Sequence, residues 1–86
     1  MVIKNTVTTE SILERVKDVS YTLLPNGRTT VCQLTMKNSF TIEGQSACVS
    51  KDNYNKTMGE WYAYEDAIKN VWAFEGYLLA ERLYGN

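Results

Sequence analysis

The 86-residue chain predicts an α+β domain: a short helix, a three-stranded antiparallel meander, and one long C-terminal helix packed on one sheet face. Three observations carry that expectation. Two turn signals, Pro25-Asn26-Gly27 and Lys37-Asn38-Ser39, separate three β-prone runs. One register makes a single face of all three runs apolar. From Met58 onward the apolar residues recur with a helical period.

Residues 8–18 read as the short helix, capped by Thr8 or Thr9, with Ile12, Leu13 and Val16 on one face. Residues 1–7 read as a loose tail of the single domain 1–86. The first strand, Val19–Leu24, runs into Pro25-Asn26-Gly27, where proline fixes φ and Asn-Gly accepts positive φ. Thr29–Met36 and Phe40–Ser46 follow as the second and third strands. Pairing Leu24 with Thr29 sets Tyr21 beside Cys32 and Val19 beside Leu34. Pairing Met36 with Phe40 sets Leu34 beside Ile42 and Cys32 beside Gly44. Val19, Tyr21, Leu23, Cys32, Leu34, Met36, Phe40 and Ile42 then share one face. The opposite face is threonine-rich and polar apart from Leu24 and Val31, the pattern of a sheet covered on one side by helix.

Ala47–Lys56 is a connection with a helical turn around Asp52-Asn53-Tyr54. Thr57-Met58-Gly59-Glu60 fits a capping box, and the helix it opens reaches about Leu83, about 26 residues or roughly 39 Å. Trp61, Ile68, Trp72, Gly76, Leu79 and Leu83 form the stripe expected on the sheet. Tyr64, Ala67, Val71, Phe74 and Leu78 widen the apolar arc to roughly 200°, about twice what one small sheet uses. Either the short helix or a second copy of the chain covers that second group; the short helix has little area to offer, which favours a homo-oligomer. Glu65, Glu75 and Arg82 interrupt the arc, and charges so placed need partners or a ligand. Lys69 is within reach of Glu65, while Glu75 and Arg82, two turns apart, suit a long-reach or intersubunit pair.

The net charge of −1 carries no electrostatic footprint for DNA or RNA. No apolar run is long enough to cross a bilayer, and the first ten residues have no signal-peptide pattern. Cys32 and Cys48 are too few and too far apart in register for a disulfide framework, so a reducing cytoplasm is expected. Histidine is absent, the cysteines lack zinc spacing, and no acidic pair shares a helix face at catalytic distance. The expectation is therefore a protein that is not an enzyme and uses no metal and no cofactor. Arg28 beside its turn, Tyr54 and Asn55 in the loop before the long helix, Tyr62 on that helix and Arg82 near its end are the candidate ligand-binding residues. Guanidinium groups fork onto phosphate or stack on a base, and tyrosines stack on flat heteroaromatic rings.

Several segments also resemble the gene-49/gene-66 family of small tailed-phage proteins. They are Thr30-Val31-Cys32-Gln33-Leu34-Thr35-Met36, Phe40-Thr41-Ile42-Glu43-Gly44, Ser46-Ala47-Cys48-Val49, Glu65-Asp66-Ala67-Ile68, Trp72, Glu75-Gly76-Tyr77-Leu78-Leu79 and Glu81-Arg82-Leu83. The family tends to have asparagine where Asp66 stands and proline where Ala73 stands. The chain is also similar to the first type of Thoeris anti-defence protein, phage proteins that sequester cyclic ADP-ribose-type immune signals without cleaving them. That resemblance implies an oligomeric sponge for a cyclic nucleotide or cyclic ADP-ribose-type signal, with Arg28 and Arg82 on phosphate or base and Tyr54 or Tyr62 stacking. The alternative is a small phage protein that docks a host or phage partner through its aromatic helix face.

Overall fold

The computed structural model describes residues 6–85. Helix α1 spans Thr9–Arg15 and is closed by a reciprocal cap: Thr8 Oγ1 accepts from the Ser11 amide, and Ser11 Oγ accepts from the Thr8 amide, both at 3.1 Å. It stops three residues short of the expected end. Val16 is already extended and pairs with Met36 across the sheet, a better use of a β-branched residue than a helix terminus. Val7 packs against the core, so a loose tail does not extend that far; residues 1–5 lie outside the described residues.

Strands β1 (Val16–Leu23), β2 (Thr29–Met36) and β3 (Thr41–Ala47) form an antiparallel sheet in the order β1-β2-β3. The register is the expected one: Tyr21 opposes Cys32, Val19 opposes Leu34, Leu34 opposes Ile42 and Cys32 opposes Gly44. In the first turn Gly27 takes φ 73°, and Asn26 Oδ1 accepts from the amides of Arg28 and Thr29. After β3, a 3-10 turn at Lys51–Asn53 leads into helix α2, Lys56–Gly85.

The α2 cap is Asn55, not Thr57. Asn55 Oδ1 accepts from the Met58 amide at 3.0 Å, placing Thr57 inside the first turn. The stripe on the sheet also differs from the expected one. Ala63, Ala67, Val71 and Glu75, every fourth residue, face the sheet, whereas Trp61 and Trp72 are 55% and 38% exposed. The cause lies in the facing strand. A Cβ on Gly44 would sit 2.6 Å from the Ala63 carbonyl oxygen and closer still to the Ala67 amide nitrogen, so the helix backbone rests directly on β3. Only small side chains fit at such a crossing. Ile12, Cys32, Leu34, Met36 and Ile42 complete the core with Ala63, Ala67 and Val71.

Two polar side chains of α2 close the outer edge of β3. Asp66 Oδ2 accepts from the Gln45 amide at 3.0 Å, and Asn70 Nδ2 donates to the Glu43 carbonyl at 2.8 Å. Residues four apart on the helix thus serve residues two apart on the strand. Asp66→Ala is expected to cost about 1–3 kcal/mol in urea denaturation, while Asp66→Asn retains an acceptor and costs less than half of that.

The helix covers β2 and β3 and leaves β1 beside it. Val19, Tyr21 and Leu23 point to the helix side yet are 42%, 39% and 47% exposed. Burial, followed by the charges of Cys32, Glu60 and Tyr64, raises the Tyr21 phenol above its ordinary value. Beyond Glu75 the helix projects past the sheet. The molecule measures 53 × 21 × 18 Å with a radius of gyration of 15.5 Å, against about 12 Å for a compact chain of this length.

Neither cysteine is in a disulfide. Burial first, and then Glu60, pushes the Cys32 thiol up to about 11. Cys48 is half-buried, and its Sγ donates to the Ser50 carbonyl at 3.1 Å. A thiol reagent is expected to modify Cys48 alone in the native protein and both thiols after unfolding. Folded Cys32 keeps its proton where the unfolded chain releases it, so stability is expected to fall between pH 9 and about 11.

Candidate binding cleft

A cleft of about 450 Å³ opens where the β2–β3 turn, the end of α1 and the projecting half of α2 meet. Met36, Ile42 and Val71, all core residues, form its floor. Phe40, Phe74, Tyr77 and Leu78 form its walls, and the two phenylalanines meet edge to face with centroids 5.8 Å apart. Arg15, Glu75, Lys37 and Asn38 supply its polar groups.

Local structure fixes each of these. The Met36 amide donates to the Phe40 carbonyl at 2.8 Å, and the Phe40 amide donates to Asn38 Oδ1 at 3.0 Å, so the turn delivers Phe40 to the rim. Ser39 takes φ 74°, the left-handed residue that lets so short a turn close. The Lys37 amide donates to the Arg15 carbonyl at 2.8 Å, joining the turn to the end of α1. Glu75, only 8% exposed, receives Arg15 Nε at 3.3 Å. Its partner is thus the α1 arginine and not Arg82. Among the described residues this is the one ion pair: Glu65 and Lys69 do not form one, and Lys37 is left without a carboxylate. The cleft accordingly offers aromatic faces for a flat ring, an unpaired ammonium for an anion, and an internally neutralised carboxylate.

The residues expected to bind ligand lie elsewhere, in two groups. Arg28 and Tyr54 belong to the end of the sheet where the β1–β2 turn meets the connection to α2. There the Arg28 carbonyl accepts from the Cys48 amide at 3.0 Å, and Tyr54 Oη lies 3.5 Å from Thr30 Oγ1. Asn55 is at the same end and is occupied as the α2 cap. Tyr62 and Arg82 are exposed on α2, about 30 Å apart along its axis, so one chain cannot gather all five residues into one site.

The sequence profile of the phage protein (N4 Gp49/phage Sf6 gene 66) family matches residues 7–83. The chain belongs to that family. The matched span of this Gp49/gene 66 family protein includes α1, the whole sheet and all but the last two residues of α2. Comparison with curated proteins and with solved structures gave no match. Among the described residues, no helix of the family protein is long and apolar enough to cross a membrane.

Of the cleft residues, Phe40 and Phe74 are visible in the sequence only as apolar positions. Lys37 stands out there as a basic residue with no acidic neighbour nearby, and Glu75 as a charge within the apolar arc; these two are the local signals for the site. Arg15 carries no such signal, because its role depends on Glu75, sixty residues later.

Proposed function

We propose that this phage protein is a non-enzymatic anti-defence protein that binds and sequesters a cyclic nucleotide or cyclic ADP-ribose-type signal in the cytoplasm of the infected cell. It works as a homo-oligomer and uses no cofactor. The observation that carries this reading is the cleft: its volume falls within the ordinary range for small-ligand sites, and its walls combine aromatic rings with the unpaired Lys37. A purine ring stacks against the aromatic wall that Phe40, Phe74 and Tyr77 form, and a phosphate meets Lys37. The similarity to the first type of Thoeris anti-defence protein supports the ligand class. Tyr62 and Arg82 reach one ligand only if a second copy supplies one of them.

The test is calorimetry and thermal shift against a panel of cyclic nucleotides and cyclic ADP-ribose isomers. At least one is expected to bind, to raise the melting temperature, and to be recovered unaltered after denaturation of the complex. Phe74→Ala is expected to weaken that binding about tenfold through lost stacking. A panel in which nothing binds overturns the reading, as does recovery of a cleaved ligand.

A further inference from the structure

The two edges of the sheet are treated differently. On β3 the outward Gln45 amide and Glu43 carbonyl are taken up by Asp66 and Asn70 of α2. On β1 nothing comparable occurs. The Leu24 amide donates to the Thr29 carbonyl at 2.8 Å, so by the alternation of an antiparallel ladder the amides and carbonyls of Val19, Tyr21 and Leu23 point away from β2. No hydrogen bond to these groups from any other described residue is present outside the ladder. The charges and the register shift of β1 lie at its start, in Val16-Lys17-Asp18, and the run Val19-Ser20-Tyr21-Thr22-Leu23 contains no charge, no proline and no bulge, devices that ordinarily blunt an edge strand.

The side chains of the same strand are also uncovered. Val19, Tyr21 and Leu23 stand beside α2, and Trp61, Tyr64, Ile68 and Trp72 line a shallow groove along the helix. Together they expose on the order of 500 Å² of apolar surface per copy, so full burial across a two-fold would remove about 1,000 Å², the lower bound for a specific interface.

We infer that the occupant of this edge is a second copy of the chain, pairing β1 with β1 antiparallel about a two-fold at Tyr21 to make a continuous six-stranded sheet. Tyr21 then opposes the partner's Tyr21, Val19 opposes the partner's Leu23, and about six backbone hydrogen bonds form from groups now unpaired. Side chains opposed in this way share a face, so both α2 helices lie on the same side and the exposed aromatics of the two copies wall one shared groove. Charges do not conflict: Asp18 falls opposite the partner's Leu24, and Lys17 opposite the partner's Pro25. The interface is isologous and closed, as two-fold symmetry requires.

This inference rests on the proposal that the chain self-associates, and the experiment separates the two. Light scattering at tens of micromolar is expected to give twice the monomer mass. In a Cys32→Ala/Cys48→Ser background, which removes the thiol opposite position 21 within the chain, Tyr21→Cys is expected to form an intermolecular disulfide on oxidation, because directly opposed residues of a hydrogen-bonded antiparallel pair lie about 5.5 Å apart at Cα, within disulfide reach. Thr22→Cys, which falls opposite the partner's Ser20 and out of register with its own copy, is expected not to. Val19→Lys, checked for native circular dichroism, is expected to be monomeric, since it places an ammonium in the shared groove. A monomeric wild type overturns self-association altogether, including the case in which another protein occupies the edge. A dimeric wild type whose Tyr21→Cys form does not cross-link overturns the β1 interface alone.

Discussion

Gly44→Ala is expected to abolish or nearly abolish the native fold. The new methyl group would meet not a flexible side chain but the helix backbone, 2.6 Å from the Ala63 carbonyl oxygen and nearer to the Ala67 amide nitrogen. Relief requires lifting α2 off β3, which uncovers Val71 and Ile42 and pulls Asp66 and Asn70 from the strand edge. Ordinary overpacking costs about 1–3 kcal/mol, and a clash against backbone on both sides exceeds it. A domain of this size has about 4–13 kcal/mol of stability in all. A fall in melting temperature of at least about 15 °C is therefore expected by circular dichroism. A shift of a few degrees would mean that the helix does not rest on Gly44.

The second large effect is expected at Arg15. Glu75 is nearly buried, and Arg15 is its ion-pair partner, itself about half exposed at the side chain. Arg15→Ala leaves the carboxylate beside Val71 and the cleft floor without a counter-charge. Breaking a fully buried pair costs about 3–5 kcal/mol, but water reaches this one from the arginine side, so about 1–3 kcal/mol is expected. Glu75→Gln removes the charge that needs answering and leaves a half-exposed guanidinium free to hydrate, at about 1 kcal/mol. The double variant Arg15→Ala/Glu75→Gln is expected to be more stable than Arg15→Ala alone, which urea denaturation of the four proteins measures as a coupling. Additive effects would show that the two groups do not interact.

The sheet was legible in the sequence because two independent signals agree. Turn chemistry at Pro25-Asn26-Gly27 and Lys37-Asn38-Ser39 sets the pairings, and a period of two then tests them. The long helix was legible as a helix, and its apolar arc as broader than one sheet can cover. Which side of that arc meets the sheet was not legible. Hydrophobicity favours the tryptophans, whereas the packing distance at Gly44 admits only Ala63 and Ala67. Closeness of approach belongs to two elements together, and neither shows it alone. The cap moved from Thr57 to Asn55 because both residue types cap well and the local sequence does not decide between them. The cleft was hidden for a related reason. Its cations, its rings and its carboxylate come from three separate segments, α1, the β2–β3 turn and α2, and the carboxylate was visible only as a charge in need of a partner.

The most direct measurement is amide chemical-shift mapping on isotopically labelled protein during titration with a cyclic ADP-ribose isomer or cyclic nucleotide that binds in the calorimetric panel. Perturbations are expected to concentrate at Lys37–Phe40 and along Val71–Leu78, the two segments that face each other across the cleft. Shifts confined to the Arg28, Tyr54 and Asn55 end of the sheet, with the cleft amides unmoved, would contradict the assignment of the site.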